Sequence, residues 1–129
     1  MIYVDASAVV TAVLGREYAP ALRRYVERQA ERPWTSTVGF VEVVRTCDLV
    51  GDYPGLLDTL AEDYDEAVLT RAVRDRAASL PGRLRTLDAI HVASAQILGP
   101  ELVALVTYDR RMADAARAAG LPVAMPGLE

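Results

Sequence analysis

The stretch 102-LVALVTYDRR-111 runs an apolar, β-branched segment straight into Tyr108, Asp109 and a pair of arginines. A short continuous apolar run bounded by polar residues is what a strand buried on both faces looks like, and strand packing alone gives no reason to end it on a carboxylate. The opening residues 1-MIYVDAS-7 repeat the pattern, with a β-branched and aromatic run stopping at Asp5. Two such strands in one small chain point to a shared acidic site.

Helices are expected between them. After Asp5, SAVVTAVLGRE carries Val9, Val10, Val13 and Leu14 at helical spacing, with Ser7 placed to cap the helix. APALRRYVERQAE reads as a second helix with Leu22, Tyr25 and Val26 facing inward and Pro33 ending it. WTST at 34–37 is a second short strand, and VGFVEVVRTCDLVG, apolar almost all round, is a buried helix stopped at Gly51. LLDTLAEDY follows the Pro54–Gly55 pair, EAVLT supplies another strand, and TRAVRDRAASL an arginine-rich helix. Pro81 and Gly82 break the chain, and Thr86 is placed to cap DAIHVASAQIL. Beyond the strand at 102–107, Asp109–Ala119 is an alanine-rich helix closed by Gly120, and LPVAMP supplies a last strand.

Strands alternating with helices predict a three-layer α/β/α fold with a mostly parallel central sheet, built as a single domain over 1–129. Ligands of such sheets collect outside the carboxyl ends of the strands. Topology alone therefore brings Asp5 and Asp109 together.

The bulk composition narrows the function. At 129 residues the chain can bury one sizeable core, and an apolar content of 52% with only 6% of residues aromatic leaves Ala, Val and Leu to do most of the packing and hints at a buried partner surface. A formal net charge of −4 repels a phosphate backbone, so any nucleic-acid contact must be local. All 14 basic side chains are arginine; the guanidinium fork suits phosphate, but a genome-wide composition bias gives the same count. The lone Cys47 forms no intrachain disulfide, and the chain shows neither a basic leader nor an apolar run long enough to span a bilayer, so a soluble cytoplasmic protein is expected.

Asp5, Glu42, Asp88 and Asp109 sit where polarity is not expected. Each has an ordinary structural reading: a turn residue for Asp5, an intrahelical partner of Arg45 for Glu42, dipole complementation for Asp88, a helix cap for Asp109. Buried carboxylates cost several kcal/mol each unless a cation, a proton or hydrogen bonds compensate, and four in one small fold favour a common divalent ion. Hard oxygen donors suit Mg²⁺ or Mn²⁺, whereas zinc would recruit His and Cys, of which this chain has one each, far apart.

The ordered set YVDASAVV, VEVVRT, TLDAIHVASA and VTYDRRMADAARAAGLPV spans nearly the whole chain and resembles the PIN-domain ribonucleases, specifically the VapC toxins of type II toxin–antitoxin modules. The resemblance implies that Asp5, Glu42, Asp88 and Asp109 are the catalytic acidic quartet holding one or two Mg²⁺ or Mn²⁺ ions, with Asp5 and Asp88 as the leading metal ligands, Asp109 completing the pocket and Glu42 orienting water or a second ion. Ser7 and Thr107 match positions that hydrogen-bond the carboxylates or the metal's waters. It further implies metal-assisted hydrolysis of RNA to a 5′-phosphate and a 3′-hydroxyl, a homodimer, and a small VapB-like antitoxin that wraps the toxin and blocks the site. Arg45, Arg85 and Arg110, with Arg83 and Arg111, are candidates to contact RNA phosphates, against solvated surface as the alternative.

His91 shares a helical face with Asp88, and a structural hydrogen bond is expected of it rather than base catalysis. Trp34 is expected in the core rather than stacked on a base. Receiver domains and haloacid-dehalogenase-type phosphatases also set acids at strand ends, but both use a pocket lysine that this chain lacks. A catalytically silent PIN fold that binds RNA without cutting it remains the alternative function.

Overall fold

The computed structural model describes residues 1–128. Strand β1 (Ile2–Val4) is buried along its whole length and pairs on both sides, with β2 (Trp34–Ser36) and β4 (Ala104–Val106); β3 (Asp65–Ala67) and β5 (Val123–Ala124) form the edges. The order is β3-β2-β1-β4-β5 with every pairing parallel. From β1 the chain steps outward to β2 and β3, then crosses back to lay β4 against the other side of β1. The gap between the carboxyl ends of β1 and β4 is thus the point where strand order reverses, which is where parallel α/β sheets place their ligands. Ile2, Tyr3 and Val4 lie opposite Ala104, Leu105 and Val106, so the residues just past each strand emerge side by side.

Alternation along the strands builds the outer layers. Ile2, Val4 and Val106 face one core, which α1 (Ala6–Leu14), α2 (Ala19–Glu27), α3 (Thr37–Asp48) and α4 (Leu56–Asp63) close with Val9, Leu22, Phe40, Val43 and Leu60. Tyr3 and Leu105 face the other, closed by Val92 and Ala95 of α6 (Thr86–Ile97) and Met112 and Ala116 of α7 (Arg110–Ala118). Helix α5 (Arg71–Ser79) lies against α6 and buries Val73. Each fully buried Val, Leu or Ile contributes roughly 1.5–3 kcal/mol, so β1 is anchored from both sides. The result is the expected three-layer α/β/α arrangement.

Local details depart from the sequence reading. Helix α1 is capped by Asp5, whose side chain accepts from the Ala8 N–H, and Ser7 lies inside the first turn instead. Thr86 is the first residue of α6, and Arg85 occupies its cap position without a side-chain bond, because a guanidinium has no acceptor for the free N–H groups; it donates to Asp88 instead. Helix α3 ends at Asp48; the N–H groups of Val50 and Gly51 both bond the Cys47 carbonyl, so the helix unwinds before the glycine is reached. That helix is also only half buried, since Phe40, Val43 and Cys47 face the core while Val41 is 58% exposed. Strands β3 and β4 are shorter than EAVLT and LVALVT. Trp34, half-buried at the start of β2, packs against the second core.

Candidate active site

Asp5 leaves β1 at the reversal point and is only 2% exposed. Its Oδ1 accepts from Ser7 Oγ at 2.7 Å and from the Ala8 N–H at 3.0 Å, and its Oδ2 accepts from Thr107 Oγ1 at 2.5 Å. Burial pushes the carboxyl above its ordinary pKa, while Thr107, the nearby His91, Ser7 and the Ala8 N–H pull it back. The two hydroxyls also tie the strands together. Ser7 Oγ accepts from the Tyr108 N–H at 3.0 Å, and Thr107 Oγ1 accepts from the Asp109 N–H at 3.0 Å.

Asp109 caps α7, its Oδ1 accepting from the Arg111 and Met112 N–H groups at 2.9 and 3.4 Å. Capping occupies one oxygen and leaves Oδ2 facing Arg85 Nη2 at 3.9 Å. Asp88, in the first turn of α6, takes a hydrogen bond from Arg85 Nε at 3.2 Å. The Arg85 guanidinium is therefore set between two acids, where it offsets part of their repulsion. Glu42 makes its close contact not with Arg45 but with His91, Oε1 to Nε2 at 2.7 Å, and His91 Nδ1 is 2.6 Å from Tyr3 Oη. Burial drives the Tyr3 phenol far above its usual pKa, with the Ser36, Thr35 and Ser94 hydroxyls acting in the other direction.

Asp5, Glu42, Asp88 and Asp109 all line one pocket of about 230 Å³, together with Ser7, Arg85 and His91. Among the described residues, no three His, Cys, Asp or Glu side chains are drawn into a ready-made cation cage. An all-oxygen donor set spread around a pocket of this size suits an ion that keeps much of its own water and takes one or two carboxylates plus a substrate phosphate, the usual manner of Mg²⁺. Beside it lies a groove of about 370 Å³ lined by Arg83, Arg85, Arg111 and Asp88. Arg45 and Arg110 are exposed and belong to neither lining.

Residues 2–118 match the PIN domain family. The chain belongs to it. Within the family it is of the VapC type, being 39% identical to ribonuclease VapC46 of Mycobacterium tuberculosis over 97% of both chains, and 37% identical to ribonuclease VapC47 of the same organism over 98% of both. Two solved structures share the fold. M. tuberculosis VapC20, a sarcin–ricin loop cleaving toxin, superposes with a TM-score of 0.76 at 15% identity, covering 98% of this chain and 100% of that one. A toxin–antitoxin complex from Klebsiella pneumoniae gives 0.68 at 18% identity, covering 86% and 88%.

Three residues of this PIN domain's site escaped the sequence reading. Arg16 and Thr46 line the acidic pocket. Thr46 lies one helical turn beyond Glu42 and was legible from that spacing. Arg16 follows the left-handed turn at Gly15 that ends α1, and no linear spacing ties it to the acids. Tyr3 read as a core aromatic; its ring is in the core, but its hydroxyl meets His91.

Proposed function

We propose that this PIN domain, one domain over 1–129, is the ribonuclease toxin of a toxin–antitoxin pair, a Mg²⁺- or Mn²⁺-dependent endoribonuclease held in check by a VapB-like antitoxin. The observation that carries the reading is the convergence of Asp5, Glu42, Asp88 and Asp109 on one pocket, in a chain 37–39% identical to VapC ribonucleases along nearly its full length. Asp5 and Asp88 would hold the ion, with Asp109 and Glu42 completing the set. When bound, a divalent ion supplies an acidified water and neutralises the charge that develops on the scissile phosphate.

The chain's own groups do the rest. Ser7, Thr107 and the Ala8 N–H fix both oxygens of Asp5 and favour its charged form against the cost of burial. Arg85 offsets the charge of Asp88 and Asp109, which lowers the barrier to a phosphate entering a protein of net charge −4. Arg45 and Arg110, exposed but outside the linings of the pocket and groove, would be the side chains offered to flanking phosphates. A reduced cytoplasm suits the free, buried Cys47 thiol, and among the described residues no helix is long and apolar enough to cross a membrane. The partner reading, an antitoxin and a second copy of this chain, draws on the Klebsiella pneumoniae toxin–antitoxin complex and on the exposed apolar residues of α3 and its exit.

The test is cleavage of total RNA by antitoxin-free protein in Mn²⁺, Mg²⁺ or EDTA, with Asp5→Asn and Asp88→Asn alongside. Metal-dependent discrete fragments bearing 5′-phosphates, lost in EDTA and reduced at least about 100-fold by either substitution, are expected. RNA bound but uncut under every metal condition would replace the nuclease with a silent RNA-binding PIN module.

A further inference from the structure

The row Tyr3–His91–Glu42 crosses three elements, β1, α6 and α3, with heavy-atom separations of 2.6 and 2.7 Å at its two links. Tyr3 is fully buried and His91 is 2% exposed, so the link between them meets no competing solvent. Glu42 at the far end is 29% exposed along its side chain and lines the acidic pocket. A row buried at one end and opening into the site at the other does more than fill the core.

Hydrogen-bond polarity fixes the sense of the Glu42 link. Glu42 as a carboxylate only accepts, so a bond at 2.7 Å requires the proton on His91 Nε2. Tyr3 Oη, 2.6 Å from Nδ1, can donate to it, and that arrangement, with the proton on Nε2, satisfies both links. The opposite tautomer would set the Nε2 lone pair against the carboxylate and break the link to Glu42, while the Tyr3 hydroxyl could still accept from Nδ1–H. Edge-on packing of the two rings, 5.8 Å between centroids at 68°, keeps the imidazole from turning. With Oε1 taken by His91, Oε2 is the oxygen Glu42 has left for the pocket.

We propose that His91, oriented by Tyr3, is a positioning residue that fixes the Glu42 carboxylate for divalent-metal binding, and that it takes no part in base catalysis. The inference rests on the metal-dependent reading above and assigns work to two residues outside the acidic quartet. A donor that orients a ligating carboxylate is worth about 10- to 100-fold in metal affinity or activity.

The experiment compares wild type, His91→Leu, His91→Gln and Tyr3→Phe in three measurements: Mn²⁺ binding by calorimetry without RNA, urea unfolding, and the ¹⁵N imidazole spectrum. Glutamine can carry an N–H donor near the position of Nε2; leucine cannot. Mn²⁺ binding weakened about 10-fold by His91→Leu, restored to within about 3-fold of wild type by His91→Gln, and a wild-type spectrum with the proton on Nε2 are expected. Tyr3→Phe removes one oxygen and should move the tautomer signal while the protein stays folded. Binding by folded His91→Leu equal to wild type, or His91→Gln no better than His91→Leu, overturns the proposal. If His91→Leu does not fold, the wild-type tautomer and Tyr3→Phe decide: a proton on Nδ1, or no change in the tautomer signal on losing the phenol, overturns it. Wild type that binds no Mn²⁺ would sink the metal reading instead, and the imidazole spectrum would still report on the row itself.

Discussion

At the residue scale, Asp5 sets burial against charge. Its carboxyl is almost fully buried, and three donors reduce but do not cancel the cost, since burial still raises its pKa. A carboxyl whose folded-state pKa exceeds its unfolded value binds its proton more tightly when folded. The fold is therefore helped while Asp5 is protonated, and that help is lost as pH rises from about 3.9, the unfolded value, through the folded pKa. Asparagine keeps an oxygen for the Ala8 N–H and carries no charge at any pH. Metal-free Asp5→Asn should gain stability relative to wild type as pH is raised from 4 to 7 and be at least as stable at neutral pH. Urea midpoints at pH 4, 5.5 and 7 check this; an advantage that shrinks with rising pH would show that the hydrogen bonds outweigh desolvation. Added Mn²⁺ should reverse the order at pH 7, because a ligand bound only by the folded wild type stabilises it by about 2.7 kcal/mol at 100 times its dissociation constant.

At the scale of elements, Asp109 joins helix to site. One oxygen caps α7 and the other faces Arg85 inside the pocket lining, so charge and cap can be separated. Asp109→Asn keeps a capping oxygen, and unfolding free energy should stay within about 0.5 kcal/mol of wild type; Asp109→Ala removes the cap and should cost about 1 kcal/mol. Both should reduce cleavage at least about 10-fold. Equal activity of Asp109→Asn and wild type would make Asp109 a cap and nothing more. The same residue explains how far the sequence could be read. A buried strand ending on an acid is visible in 102-LVALVTYDRR-111 because hydrophobic burial leaves a continuous apolar run, and alternation with helices gives the sheet. Cap assignments were less legible, because Asp5, Ser7 and Thr86 are all good capping types, and which one caps depends on where each strand stops in three dimensions. The partner of Glu42 was not legible either. Spacing along α3 offers Arg45, but tertiary packing brings in His91 from 49 positions away, and local pattern carries no information about that.

At the scale of the whole molecule, the helical face that leaves the core unfinished is as informative as the pocket. Helix α3 and its exit expose Val41 at 58%, Leu49 at 89% and Val50 at 62%, and Leu57 of the neighbouring α4 is 55% exposed. Val41 lies on α3 and Leu49 and Val50 just past its end, so the exposed apolar residues run from the helix into its exit. Scattered apolar residues are ordinary on a surface, whereas a run of them from α3 through its exit to the neighbouring α4, in a chain with 52% apolar content, suits a partner. A standard interface buries about 800 Å² per partner, roughly a tenth of the 7151 Å² this chain exposes, so the face needs neighbouring polar surface to complete it. A second copy of this chain would supply a self-complementary patch by twofold symmetry. At micromolar concentration, light scattering on a sizing column should give twice the 14.0 kDa chain mass. Leu49→Glu combined with Val50→Glu should shift the protein to the 14.0 kDa species with unfolding unchanged, because neither side chain supports the core. A double variant that stays dimeric would move the interface elsewhere on the surface. A wild type that runs as a monomer would leave this apolar face to the antitoxin, and adding a cognate antitoxin should then protect Leu49 and Val50 from solvent in hydrogen exchange.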